Sequence, residues 1–221
     1  MGEATYDIDR LSLSDRVYYY IKDLILSGEL EAGEKIAENQ IATRFQVSRT
    51  PIREALKRLE EYGLVRIKPR AYAEVVSLRP EEAEDVASLR AALEVFAVGL
   101  LAERGSDEDF DALQQLVDAC RSCVESGEVA ATFENDSSFH LEIAKRTGNR
   151  HLYELSERLD AKVQLLRLVL HLPMDRLTMF VGQHDQIMEA LRARDAEQAR
   201  LLMRRHILDQ LDHYRPASFA R

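Results

Sequence analysis

The stretch VSRTPIREALKRLEEYGLV, residues 47–65, decides the fold. Its apolar residues Ile52, Ala55, Leu56 and Leu59 recur at helical spacing and make one stripe. Ser48 stands where an N-cap belongs, and Pro51 falls in the first turn, where a missing N–H costs little. Gly63 supplies the stop. Arg49, Thr50, Arg53 and Lys57 face away from the stripe and gather toward the N-terminal end of the helix. In a recognition helix that end meets base edges and phosphates, and Arg suits bidentate contact with guanine.

Upstream, Val17, Ile21, Leu24 and Ile25 form the apolar stripe of a first helix, in which the neighbouring Tyr18, Tyr19 and Tyr20 read as packing residues. Gly28 and Gly33 frame a turn at LEAGEK. A short helix over 38–45 then turns Ile41, Ala42 and Phe45 inward, and Gln46-Val47 connects it tightly to Ser48. Downstream, LVRIKPRAYAEVV reads as two short strands around Lys68-Pro69-Arg70-Ala71, a hairpin with a basic tip. Helix, short helix, tight turn, longer helix and hairpin in that order describe a winged helix-turn-helix.

Beyond Leu78-Arg79-Pro80 no strand pattern remains. Helical segments are expected over 81–104, 107–127, 129–147, 150–171, 175–193 and 195–214, joined by breaks such as Gly105-Ser106-Asp107 and Thr147-Gly148-Asn149. Short connections imply an antiparallel bundle. The expected fold class is mainly α, with a winged helix-turn-helix over 1–78 and an all-α antiparallel helical bundle over 79–221.

Charge follows the same division. The 221 residues carry a net charge of −9, which taken whole speaks against nucleic acid. Residues 1–78 account for −1 and residues 79–221 for −8, while the window 39–72 is +5. A compact basic segment in an acidic chain is the electrostatic footprint of a nucleic-acid reader. At 46% apolar and without low-complexity tracts, the chain is not disordered. No apolar run approaches the ~20 residues that span a bilayer. The acidic, polar start is not a secretory signal, and two Cys make no disulfide framework, so a cytoplasmic protein is expected. Cys120 and Cys123 fall inside a helix with no second pair and read as reduced cysteines.

Three apolar faces of the bundle carry polar interruptions. Asp136 and His140 are four apart, on a face with Phe133, Ile143 and Ala144. His184 shares a stripe with Phe180, Ile187, Met188 and Leu191, and His206 with Ala199, Leu202 and Met203. Buried polar groups need partners. The midpoint of 184 and 206 is Asp195, which reads as an N-cap with Gln198 as its capping-box partner. In an antiparallel hairpin that turns there, His184 and His206 stand level and meet if both point inward. One carboxylate and three imidazoles suit Zn²⁺, Ni²⁺, Mn²⁺ or Fe²⁺. His151, His171 and His213 read as ordinary core or boundary histidines.

SRTPIREAL, with the upstream ILSGELEAGEKIAENQIA, resembles the N-terminal domain of the GntR family of bacterial transcription regulators. The resemblance implies a homodimer on a short palindromic operator, with Ser48, Arg49, Thr50 and Arg53 on DNA and wing residues around Arg70 in the minor groove. Asn39 stands where many members place Arg, and Ala71 where members often carry Gly at the wing tip. The helical remainder resembles the FCD (FadR-like) branch, through Asp136 and His140 in ENDSSFHLEIA, His184 in GQHDQIMEAL and His206 in MRRHIL. That branch implies a divalent metal at these positions beside a pocket for a small organic acid effector, with Arg90 facing the effector carboxylate. A regulator rather than an enzyme is expected. The alternatives are a purely structural metal with a different, acyl-CoA-type ligand, and a helical metalloenzyme, although no H-E-x-x-H occurs.

Overall fold

The computed structural model describes residues 11–69, 71–77, 80–170 and 174–214. The chain divides into two compact units, 1–78 and 79–221. Arg70, the wing-tip candidate, and His171 lie outside the described residues, as does the side chain of His213.

The first unit contains α1 (Leu13–Leu26), α2 (Glu38–Phe45), α3 (Arg49–Glu61), β1 (Val65–Lys68) and β2 (Tyr72–Val75). Ser12 and Asp15 form a capping box that starts α1. Val17, Ile21 and Ile25 are buried as their spacing requires, but Tyr18 joins them and Leu24 is only half-buried. Tyr18 packs against Tyr62 and under the Arg58 guanidinium, and Tyr20 against Phe45, so these rings serve packing. Gln46 closes α2 in the left-handed region, at φ 52°, which makes the turn tight. Ser48 occupies the N-cap of α3 with extended backbone, yet its side chain makes no capping hydrogen bond. Pro51 explains this: it holds the third helical position, whose N–H a capping serine ordinarily takes.

Ile52, Ala55, Leu56 and Leu59 of α3 are buried with Val17, Ile21 and Ile25 of α1 as the core of this unit. β1 and β2 pair antiparallel with Lys68 opposite Tyr72, which sets the hairpin at the expected tip. The segment after the LEAGEK turn does more than turn. Ile36 N donates to Ala73 O at 2.8 Å and Val75 N to Glu34 O at 2.9 Å, so residues 34–36 line the far edge of β2. Too short to show an alternating pattern, this edge was not legible as a strand.

The second unit contains α4 (Pro80–Arg104), α5 (Asp107–Glu125), α6 (Val129–Arg146), α7 (Arg150–Leu170), α8 (Met174–Arg192) and α9 (Ala196–Tyr214). α4 and α9 run antiparallel, as two cross-links show: Arg90 with Gln210 and Glu103 with Arg200. Asp195 accepts from Gln198 N at 3.0 Å, half of the expected capping box; its own N–H goes to Ala190 O instead. The core of the bundle includes Val98, Leu101, Phe110, Leu113, Phe139, Ile143, Ile187, Leu191 and Met203. Among the described residues no helix is long and apolar enough to cross a membrane.

Candidate metal centre and basic helix face

The polar interruptions of the bundle faces come together. α6 presents Asp136 and His140 one turn apart, α8 presents His184 and α9 His206, each with one ligand atom within 4.8 Å of the others. His206 Nε2 lies 3.2 Å from His184 Nε2 and 3.2 Å from His140 Nε2. Asp136 Oδ1 lies 3.4 Å from His184 Nε2 and 3.8 Å from His140 Nε2. His184 and His206 are wholly buried, and Asp136 and His140 nearly so.

Further residues aim these donors. Glu94 Oε2 stands 2.6 Å from His140 Nδ1, and Gln183 Oε1 stands 2.8 Å from His206 Nδ1. Gln183 accepts from His206 Nδ1 and the Glu94 carboxylate stands beside His140 Nδ1, so both rings turn Nε2 toward the centre, the arrangement that orients histidine ligands around metals. Arg167 pairs with Asp136 Oδ2 and also donates to Ser137 Oγ and the Phe133 carbonyl. Imidazole nitrogens and a carboxylate oxygen thus converge in a buried core, where their lone pairs repel unless a cation or a proton lies among them. That donor set fits a divalent ion of intermediate softness.

The electrostatics agree. Burial holds His184 down at about 3 and His206 well below the usual histidine range, so both rings are neutral and able to ligate. Burial would raise Asp136, but the Arg167 guanidinium, then His140 and His184, pull its carboxyl well below the usual range. Glu94 is likewise pushed up by burial and pulled back further by Arg90 and His140, to about 2.

Arg90 is buried, which resolves its place between surface and interior. Its Nε donates to Glu94 Oε1 at 2.6 Å and its Nη1 to Gln210 Oε1 at 2.8 Å. Glu94, Arg167, Gln183 and Gln210 were missed by sequence reasoning. A signal existed for two of them. Arg90 and Glu94 are an i,i+4 pair, and Arg167 interrupts the apolar run VQLLRLVL. Cys120 is buried and free, its thiol pushed up to about 12 by burial, which makes it unreactive; Cys123 is also free.

Two cavities flank the cluster, each of about 10 Å³, one reaching Asp136, Arg167 and Gln210, the other Arg90, Glu94 and His140. Each has room for about one water. A larger cavity of about 430 Å³ is lined by Phe96, Leu100, Arg104, Thr147, Asn149 and Arg200 and shares no residue with the cluster.

In the first unit, Ser48, Arg49, Thr50, Arg53 and Lys57 are all exposed on α3. Asn39 of α2 is exposed too, and its Oδ1 accepts from Arg49 Nη2 at 3.1 Å, joining the two helices. Arg53 and Lys57 have no ion-pair partner among the described residues. Other members of the basic window are engaged. Arg58 pairs with Asp15 at 2.5 Å, and Lys68 and Arg66 approach Glu74 at 3.2 Å and 4.0 Å. Among the described residues of the window, the positive charge without an ion-pair partner therefore lies on Arg49, Arg53 and Lys57 of α3 and on Arg44 of α2, which stacks over Tyr20.

Comparison with known proteins agrees with both units. The model for bacterial regulatory proteins of the gntR family matches residues 13–75, and the FCD domain model matches residues 85–209. An uncharacterized HTH-type transcriptional regulator of Bacillus subtilis (strain 168), YdhC, is 27% identical over 89% of this chain and 86% of its own length. The HTH-type transcriptional repressor GlaR of Escherichia coli (strain K12) is 29% identical over 86% of this chain and 90% of its own. Among solved structures, E. coli McbR/YncC superposes with a TM-score of 0.82 at 23% identity, covering 92% of this chain and 97% of that one, a likeness of fold. With FCD and gntR models accounting for both units, the chain belongs to the GntR family of bacterial regulatory proteins, in its FCD-domain branch.

Proposed function

We propose that this chain is a cytoplasmic, ligand-responsive transcription regulator that binds a short palindromic operator as a homodimer. In this reading the exposed face of α3 reads DNA. Arg49 and Arg53 reach base edges, Ser48, Thr50 and Lys57 reach phosphates, and Asn39 steadies Arg49. Arg70, by its place in the sequence between β1 and β2, is assigned to the minor groove.

The observation that carries the sensing half is the convergence of four donor atoms, from Asp136, His140, His184 and His206, within 4.8 Å in the bundle core. These residues would hold a divalent ion, which supplies a Lewis-acidic positive charge to which a small carboxylate can bind. Glu94 and Gln183 keep two imidazoles in register, Arg167 neutralises the second oxygen of Asp136, and Arg90 offers a bidentate-capable cation to the effector. Effector binding regulates DNA affinity only to the extent that the ligand prefers one conformation over another. Operator binding by fluorescence anisotropy, titrated with small organic acids with and without added metal, tests this. Acids that never change operator affinity count against it.

One observation favours a second reading. The cavities beside the cluster hold about 10 Å³ each, too small for an organic acid, while the 430 Å³ cavity lies elsewhere. There the metal is structural and the ligand binds apart from it. Calorimetry of the effector against metal-loaded and chelator-treated protein separates the two, since only the first makes effector binding depend on metal.

A further inference from the structure

A chain of hydrogen bonds with one possible direction runs past the cluster. Arg90 can only donate, so its Nη1 fixes Gln210 Oε1 as the acceptor at 2.8 Å. The other end of the same amide, Gln210 Nε2, then faces His206 Nε2 at 2.9 Å and can only donate to it. His206 Nε2 must therefore offer its lone pair, and its proton sits on Nδ1, facing Gln183 Oε1 at 2.8 Å. Gln183 Nε2 donates in turn to Asp209 Oδ2 at 2.7 Å. Each assignment forces the next, from a group that only donates to a carboxylate that only accepts.

An imidazole nitrogen has a single lone pair in the plane of its ring. The Gln210 N–H and a metal cation therefore contend for the same electrons of His206. We propose that Gln210 couples the metal position to Arg90: it must release His206 Nε2 for a cation to bind, and in doing so it frees Arg90 Nη1. This rests on the reading of the cluster as a metal centre. The two contacts belong to one planar amide, so a rotation that withdraws Nε2 from His206 also withdraws Oε1 from Arg90. Arg90 keeps its Nε bond to Glu94 and so stays in place, with Nη1 left to take a new acceptor. In that buried setting an unpaired guanidinium N–H is costly, and a carboxylate satisfies it best. Binding of an anion at Arg90 thereby becomes conditional on metal. Gln210 also lines one of the small cavities, which gives the displaced amide a direction in which to turn.

The test is Zn²⁺ affinity, by competition with a chromophoric chelator, for the full chain and its Gln210→Met and Gln210→Leu variants. Removing the competing donor should tighten Zn²⁺ binding by about tenfold, the worth of roughly one hydrogen bond. In the wild-type protein, Zn²⁺ should also shift the Gln210 side-chain amide resonances and abolish their protection from exchange. Unchanged or weaker affinity in folded variants overturns the proposal. So does a Gln210 amide that stays protected in the Zn²⁺-saturated wild type, a measurement that needs no variant. Wild-type protein that binds no Zn²⁺ at all overturns the metal centre itself, a result distinct from Zn²⁺ binding that ignores Gln210.

Discussion

His184 Nε2 and His206 Nε2 stand 3.2 Å apart across the α8–α9 hairpin although 22 residues separate them in the chain. Two cationic imidazoles could not share that space, and burial keeps both rings neutral, His184 down at about 3. Acid stability follows from this. The unfolded chain takes up protons on these histidines below about pH 6.5, while the folded chain refuses them until far lower pH. Stability is thus fully present above pH 6.5 and falls as pH drops toward 3, by about 1.4 kcal/mol per pH unit for each histidine. Glu94, held at about 2 against the usual 4.5, adds to the loss in the same direction below pH 4.5. Urea denaturation in chelator from pH 8 to pH 4 should show this onset near 6.5. A flat profile between 7 and 5 would contradict the buried neutral pair.

Removal of Asp136 should damage the fold as well as any metal site. Its Oδ2 is the carboxylate partner of Arg167, which is buried among Phe133 and Ser137. Breaking one half of a buried ion pair costs about 3–5 kcal/mol, because the other charge remains in the core. Asp136→Ala is therefore expected to lower stability by about 3 kcal/mol in chelator, where metal plays no part. The double variant Asp136→Leu with Arg167→Met should recover most of that loss without recovering metal binding. Denaturant melts of the three proteins check this, and a double variant no more stable than the single would refute it.

Two glycines near the end of α4 should respond unequally to alanine. A Cβ on Gly99 would fall 2.2 Å from Arg200 Nε, but that is the far end of a flexible side chain engaged in exposed pairs with Glu103 and Glu197. Arg200 can swing aside at little cost, and alanine is favoured over glycine in a helix by about 1 kcal/mol. Gly99→Ala should therefore leave stability within about 1 kcal/mol of wild type. A Cβ on Gly105 would instead meet the Leu101 carbonyl oxygen at 2.6 Å and the buried Phe110 ring at 2.9 Å. Neither can yield freely, so Gly105→Ala should cost about 1–3 kcal/mol. Thermal melts of both variants rank them, and a Gly105→Ala protein as stable as Gly99→Ala would be the wrong order.

The helices were legible because each has a wide apolar stripe and a clear stop, and the four cluster residues because a charged or imidazole side chain breaks such a stripe. The level pairing of His184 and His206 needed only the position of the turn at Asp195. Gln183 and Gln210 were not legible. A glutamine on a helix carries no mark of what its amide will face, and its partner Arg90 lies 120 residues from Gln210. Similarly, Arg58, Arg66 and Lys68 counted as free charge until Asp15 and Glu74 were found beside them. Composition gives the sum of charges, while the fold decides which remain available.

That distinction sets the expectation for DNA binding. Arg53 and Lys57 are exposed on α3 without ion-pair partners among the described residues, whereas Arg58 is held by Asp15 and stacks on Tyr18. Arg53→Ala should cost about 1–3 kcal/mol at a specific operator and relax base preference, as loss of a base-edge contact does. Lys57→Ala should weaken all sequences alike and reduce the slope of log affinity against log salt by about 1, as loss of a phosphate contact does. Arg58→Ala should leave the salt slope unchanged and instead lower the melting temperature of the first unit. Asn39→Ala should act through Arg49, weakening specific binding less than Arg49→Ala itself and adding nothing in the double variant. Anisotropy titrations at several salt concentrations measure the binding effects, and a thermal melt measures that of Arg58→Ala on stability. An Arg58→Ala slope that falls as far as that of Lys57→Ala would show that the basic window acts as undivided charge, against the exposed α3 face as the reading surface.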